Sequence, residues 1–234
     1  MTKIAFISDL HACLDALDNV LADCRRRRVD QVFCLGDVVD MGPEPAAVIE
    51  RLIEHQIPTV RGNHDTLDEQ SSIAFLRDLE DWTRAQLSSD ALRWLAELPF
   101  LRTEYIEHLR LLLVHGSPVS NTQGLLAETP TESIDGWLSE ASANIMLAGH
   151  THVPLIRYVK NGMAVNVGST SMPFAEANVI PPVSLNYSDY VVIEVEQGQV
   201  GVEQIRLPLD VDALRRAVVA SDMPYQATFL AAYD

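Results

Sequence analysis

The sequence predicts an α/β fold, and three observations carry that reading. Strand-like and helix-like stretches alternate over the first sixty or so residues. Short polar motifs recur in one order: Asp9-Leu-His11, Gly36-Asp37, Gly62-Asn63-His64-Asp65, His115-Gly116 and Gly149-His150-Thr-His152. Each motif follows an apolar run that reads as a strand, and in open α/β sheets ligands sit beyond the carboxyl ends of strands. Five of the seven histidines fall in these motifs, and together the motifs describe a two-metal hydrolase site.

Lys3 to Ser8 reads as a buried parallel strand. Cys13 to Arg28 is an amphipathic helix, with Leu14, Leu17, Val20, Leu21 and Cys24 on one face. Gln31 to Leu35 is a second strand. After the turn at Gly42-Pro43-Glu-Pro45, Ala46 to His55 is a helix with proline in its first turn. Ile57 to Val60 is read as a third strand, and the run argues for a parallel sheet with right-handed crossovers. Leu67 to Leu98 is expected to be largely helical. Leu101 to Ile106, Leu109 to Val114, Asn144 to Ala148, Leu155 to Val159, Ala164 to Val167, Tyr190 to Glu196 and Val200 to Leu207 read as strands. Gln197-Gly198 marks a hairpin turn. Thr131 to Ser142 and Val211 to Ala220 read as helices. Phe174 to Ser188, with Pro181-Pro182, reads as a surface loop. No repeat or linker is apparent, so residues 1–234 are expected to form one domain, ending in a helix and tail near 210–234 whose Phe229 and Leu230 pack on the domain or on a partner.

Composition narrows the function classes. Apolar residues make up 47% and charged residues 21% of the chain, which is ordinary for a globular protein. No apolar run approaches the roughly 20 residues needed to span a bilayer. The N-terminus runs directly into the first strand, so it is expected to belong to the fold and not to a signal peptide. Three cysteines at spacings matching no zinc or redox motif are expected to be reduced and buried, as in the cytoplasm. A net charge of −16 argues against nonspecific nucleic-acid binding. It does not exclude a small phosphoester, because two divalent cations create a local positive spot.

Asp9 and His11 are two apart, so both side chains point one way in an extended segment, and so do His150 and His152. Mixed carboxylate, imidazole and amide donors favour Mn, Fe or Zn over Ca or Mg. A shared aspartate can bridge two ions about 3.5–4 Å apart. A histidine that is not a ligand can protonate the leaving alkoxide.

These residues resemble the calcineurin-like metallophosphoesterase superfamily, from Ile4 through about Ser169 and more loosely to Leu207. The resemblance implies two packed mixed β-sheets flanked by helices, a four-layer sandwich. It implies that Asp9, His11, Asp37 and His152 hold one metal. Asp37, Asn63, His115 and His150 hold the other, with Asp37 bridging. His64 is implied as general acid, oriented by Asp40. Asn63 and Arg61 are implied to contact the substrate phosphate. The activity implied is hydrolysis of a small-molecule phosphoester by a hydroxide between the metals. Gly36-Asp-Val-Val-Asp-Met-Gly-Pro43, Val60-Arg-Gly-Asn-His-Asp65 and Asn166-Val-Gly-Ser169 are similar to the small bacterial branch. Protein Ser/Thr phosphatases carry a phosphate-gripping arginine where this chain has Met41. A phosphodiesterase is therefore the first expectation. A phosphomonoesterase or protein phosphatase and a dinucleoside polyphosphate hydrolase are the alternatives. A non-catalytic nucleotide-binding module is disfavoured because all seven ligands and His64 are present.

Other conspicuous residues have plainer readings. Asp65 is expected to stabilise its loop or cap a helix. Arg25 to Arg28 complements a helix C-terminus and lacks the interleaved aromatics of a nucleic-acid patch. Trp82 and Trp94 are expected in core packing, Cys13 on an apolar helix face, and His55 and His108 at the surface.

Overall fold

Two mixed β-sheets stack face to face, with helices on both outer surfaces. The structure is a computed structural model and describes residues 1–67, 72–177 and 182–233. In chain order the elements are β1 (Thr2–Ile7), α1 (Leu14–Arg27), β2 (Gln31–Cys34), α2 (Pro45–Glu54), α3 (Ala74–Gln86), α4 (Ser89–Ala96), β3 (Leu101–Ile106), β4 (Leu109–Val114), α5 (Thr131–Ala141), β5 (Ile145–Ala148), β6 (Leu155–Val159), β7 (Gly162–Asn166), β8 (Tyr187–Glu196), β9 (Gln199–Pro208), α6 (Val211–Ala220) and α7 (Gln226–Ala231). The first sheet has the order β2-β1-β8-β9 and the second β3-β4-β5-β7-β6. β1 runs parallel to β2 and antiparallel to β8, while β4, β5 and β7 are parallel to one another.

The layering follows from side chains alternating across each strand. Phe6 of β1, Leu111 and Leu113 of β4, Leu147 of β5 and Ile193 of β8 meet in one buried cluster, the core between the sheets. Their neighbours Ala5, Ile7 and Val192 face outward onto Leu17 and Val20 of α1 and Val48 and Leu52 of α2. On the opposite outer face, Leu112, Val114 and Met146 pack on Ile134 and Leu138 of α5. The result is the expected four-layer sandwich.

Local chemistry explains several boundaries. α2 starts at Pro45, whose missing N–H costs nothing in a first turn. Ser88 caps α4 by accepting from Ala91 N, and Asp210 caps α6 by accepting from Ala213 N. Gln197 and Gly198 both have positive φ, 51° and 79°. That is the two-residue turn whose twist matches a hairpin, and Glu196 pairs with Gln199 across it.

Three expectations are corrected. The third strand at Ile57 to Val60 is reduced to a single parallel bridge between Cys34 and Thr59, because Pro58 has no N–H to extend a ladder. β8 begins at Tyr187, inside the stretch read as a loop, and Phe174 bridges Ser184 in the remainder. Pro181 lies outside the described residues. In the helical middle, residues 68–71 also lie outside them, and α3 starts only at Ala74. The apolar tail packs on its own chain: Phe229 and Tyr233 are buried with Leu214 and Val218 of α6. Trp82 and Trp94 pack against buried clusters, and His55 and His108 are exposed. Arg27 pairs with Asp23 and Glu203, and Arg26 with Asp23. Among the described residues no helix is long and apolar enough to cross a membrane.

Candidate metal centre and active site

All five motifs converge at the carboxyl ends of β1, β2, β4 and β5. The loops after β1 and β2 continue to pair: Asp9 N donates to Gly36 O at 2.9 Å and His11 N to Asp37 O at 3.0 Å. In the other sheet, Gly149 N donates to His115 O at 2.8 Å, which sets the loop after β4 beside the loop after β5. His150 N donates to Asp9 Oδ2 at 3.0 Å and so joins the two sheets. The approach is close enough that a Cβ on Gly149 would strike Ser8 Oγ and lie 2.6 Å from Asp9 Oδ2.

Two groups of donors result. Asp9, His11 and His152 form one, and Asp37, His115 and His150 the other, each with its ligand atoms within 4.8 Å of one another. Asn63 Oδ1 lies 3.0 Å from His115 Nε2 and 2.9 Å from His150 Nδ1, inside the second group. Asp37 Oδ2 lies 3.2 Å from His115 Nε2 and 3.8 Å from His11 Nε2, between the groups. Asp9, His11, Asp37, His150 and His152 all have positive φ, between 40° and 70°. Such backbone strain at polar residues concentrates at functional sites, and it corrects the extended segments expected at Asp9–His11 and His150–His152, since each of these residues is left-handed.

The donor set fits metal ions. His115 Nδ1 is 2.8 Å from Leu35 O and His152 Nδ1 is 2.6 Å from Met172 O. A carbonyl can only accept, so each Nδ1 carries a proton and Nε2 is the ring nitrogen left facing the site as the candidate ligand atom. His11 Nε2 and His152 Nε2 then face each other at 3.1 Å. Asp9 Oδ1, buried and 3.3 Å from His152 Nε2, accepts no hydrogen bond among the described residues. Converging buried lone pairs of this kind are satisfied by a cation.

The buried carboxylates and imidazoles also shift one another's protonation. Burial opposes ionisation of Asp37, but His115 and His64 outweigh it and hold the carboxyl well below its usual range. Burial, reinforced by the neighbouring His152 and His64, drives the His11 pKa down to about 3 against the pull of Asp37 and Asp9. For His115, burial is outweighed by the charge of Asp37, and the pKa rises to about 9.

His64 stands beside both groups without belonging to either. Its backbone N–H donates to Asp37 Oδ1 at 2.9 Å, and its Nδ1 is 2.7 Å from Oδ2 of the fully buried Asp40. Burial would lower the His64 pKa; Asp37 and Asp40 raise it instead to about 10. Asp65 takes the loop-stabilising role. Its carboxylate accepts from Val38 N and Gly62 N, both at 2.8 Å. Cys13 is buried, its thiol donating to His11 O. A cavity of about 180 Å³ opens over His11, Asp37, His64, His150 and His152, walled by Met41, Met172 and Phe174. Arg61 lines a different cavity, with Asp65, Thr66 and Arg84.

Supporting residues that the motifs did not single out lie between β7 and β8. Ser169 Oγ and Ser171 Oγ both donate to Asp9 O, at 2.9 and 3.0 Å. Asn166 Nδ2 donates to Gly149 O at 2.7 Å. The Asn166-Val-Gly-Ser169 wording was visible in the sequence; the partners of these side chains were not.

Stacked mixed sheets with two adjoining donor groups at the strand ends, Asp37 of the second facing His11 of the first, mark a metal-dependent phosphoester hydrolase. The chain belongs to the calcineurin-like phosphoesterase superfamily, whose domain model matches residues 2–196. An uncharacterized protein of Methanocaldococcus jannaschii is 24% identical over 240 residues, covering 95% of this chain and 94% of that protein. Phosphodiesterase YfcE of Escherichia coli is 28% identical over 183 residues, covering 74% of this chain and 82% of the enzyme. A metallophosphoesterase from Sphaerobacter thermophilus, 25% identical, superposes with a TM-score of 0.75 over 99% of this chain and 98% of that one.

Proposed function

We propose that the protein hydrolyses small-molecule phosphodiesters, with Asp9, His11, Asp37 and His152 holding one divalent cation and Asp37, Asn63, His115 and His150 a second. The observation that carries this reading is the placement of His64, held 2.7 Å from the buried Asp40, on the cavity that both donor groups line. Bound divalent cations supply a water acidic enough to attack near neutral pH, and take up charge on the phosphoryl oxygens. The carboxylate–imidazole–amide set suits Mn, Fe or Zn.

The chain's own part lies in positioning and proton transfer. Asp40 fixes the His64 ring through Nδ1, so Nε2 is the nitrogen that passes a proton to the departing oxygen. Asn63, with one oxygen at the second donor group and its side chain at the phosphoryl position, helps to orient the substrate. Among the described residues no arginine or lysine lines the 180 Å³ cavity. A phosphomonoester dianion profits from an additional cation more than a diester monoanion does, which favours the diester. The similarity to a phosphodiesterase points the same way. We assign Arg61 to the loop that presents His64, where it reaches substrate only through a shift of that loop. We read residues 1–234 as one working unit, because the C-terminal helices pack on residues next to the site. Three unpaired buried thiols suit a cytoplasmic location.

Metal-stripped protein reloaded with Mn²⁺ tests the reading, with bis-p-nitrophenyl phosphate compared against p-nitrophenyl phosphate. Metal-dependent turnover, with kcat/KM favouring the diester by about tenfold or more, is expected. Faster turnover of the monoester would replace this reading with a phosphomonoesterase.

A further inference from the structure

Three apolar side chains crowd an otherwise polar site. Met41, Met172 and Phe174 form one wall of the cavity, facing the histidines and Asp37 on the other. A cavity of about 180 Å³ is smaller than the roughly 300–1,000 Å³ that encloses a whole drug-sized ligand. Its walls can therefore touch a phosphoryl group and the first organic group attached to it, while anything larger extends out of the open mouth.

This wall is built rather than incidental. Phe174 stacks on the His152 ring with centroids 4.3 Å apart and planes 20° from parallel. Its backbone N–H donates to His152 O at 3.1 Å, and on either side of it Leu185 N donates to Pro173 O and Ala175 N to Val183 O. Met172 N is held by Ser169 Oγ at 2.9 Å. The wall is the site-facing edge of a larger apolar cluster: Met172 belongs to it, Met41 and Phe174 pack against it, α3 gives Leu79 and the C-terminal segment gives Leu214, Val218 and Phe229. Tyr233 OH donates to Ser171 O at 3.2 Å and pins the tail to the same loop. The superfamily match covers residues 2–196, so Leu214, Val218 and Phe229 lie outside it. Flat, polarizable Phe and Met surfaces suit an uncharged aromatic group.

We propose that Met41, Met172 and Phe174 form a subsite for an aromatic ester group of the substrate, so that the protein selects phosphodiesters bearing an uncharged flat ring beside the scissile phosphate. This rests on the phosphodiesterase reading and adds the substrate class to it.

Two diesters with the same p-nitrophenolate leaving group test the subsite: phenyl p-nitrophenyl phosphate and methyl p-nitrophenyl phosphate. Mn²⁺-loaded protein is expected to favour the phenyl diester in kcat/KM by about tenfold or more, after correction for their uncatalysed rates. The phenyl and methyl monoesters of methylphosphonic acid, as monoanionic diester analogues, are titrated calorimetrically alongside and should show the same order of affinity. Phe174→Ser and Met41→Ser should each shrink both preferences several-fold, with metal content measured for each variant. Met41 is not a proposed ligand, so its variant keeps the test decisive if Phe174→Ser loses metal. Equal rates and affinities for phenyl and methyl compounds would overturn the subsite and leave the diesterase standing. A preference unmoved in the metal-replete Met41 variant and in any metal-replete Phe174 variant would overturn it as well. Preferential binding of the phenyl phosphonate without turnover of either diester would uphold the subsite and sink the diesterase reading.

Discussion

At the scale of single residues, the chemistry turns on which histidine keeps a proton. His64 meets Asp40 through Nδ1 and stands outside both donor groups, so under the proposed mechanism its replacement removes a proton donor and not a ligand. His64→Ala is expected to retain both metals and to lose roughly 10²–10⁴-fold in turnover of alkyl-leaving diesters. With p-nitrophenolate, which departs unprotonated, the loss should be small. An equal loss on both leaving groups would show that His64 acts otherwise. Asp37→Asn is expected to weaken both metal sites, and calorimetric titration finding one site intact would contradict the shared position of Asp37. The raised pKa values also set a pH dependence. His115 and His64, near 9 and 10 in the folded metal-free chain, start from 6.5. The folded state therefore binds more protons than the unfolded one above pH 6.5, and stability present below 6.5 is lost as pH rises through 9 to 10. Metal-free protein should show a falling melting temperature over that window, and His64→Ala a flatter one. The seven proposed ligands and His64 could be picked out because each motif is local in sequence. Asp65 was harder to read, since its partners Val38 and Val39 sit on another loop.

Among the elements, the loop from Asn166 to Met172 does the most to shape the site while contributing none of the proposed ligands. Its two serine hydroxyls hold the carbonyl of Asp9, and its Met172 carbonyl accepts from His152 Nδ1. Both contacts reach the first donor group. Outer groups that orient ligands are typically worth 10–100-fold in metal affinity or activity. Ser171→Ala is therefore expected to weaken the Asp9–His11–His152 site by about tenfold and leave the second site unchanged, read by two-site metal titration. Equal weakening of both sites would instead mean general damage to the fold. Sequence reading missed this loop's role because Ser169 and Asp9 are 160 positions apart, and periodicity carries no information on such pairings. The same limit explains the strand expected at Ile57 to Val60. The apolar run was visible, but whether Pro58 faces a ladder or an edge depends on where β2 lies. In contrast, β8 and β9 could be read from the Gln197-Gly198 turn because that pairing is local.

For the whole molecule, the decisive fact is that each donor group draws on both sheets. Asp9, His11 and Asp37 follow β1 and β2 in the first sheet, whereas His115, His150 and His152 follow β4 and β5 in the second. Strand–helix alternation revealed an α/β chain, but the division into two stacked sheets came from family resemblance, since no local pattern tells which sheet a strand joins. This arrangement couples metal binding to global stability, because separating the sheets destroys both sites. A ligand bound only by the folded state adds about 2.7 kcal/mol when present at 100 times its dissociation constant. A chain of this size gains roughly 2–4 °C in melting temperature per kcal/mol. Each site filled to that degree should thus raise the melting temperature by about 5–10 °C, and chelation should reverse the gain. Because both sheets supply ligands, amide exchange should slow in β1 and in β5 together when metal is added. Protection confined to one sheet, or tight metal binding with no change in melting temperature, would mean that the sites form without the sheets' stacking and that the ligands act as local loops.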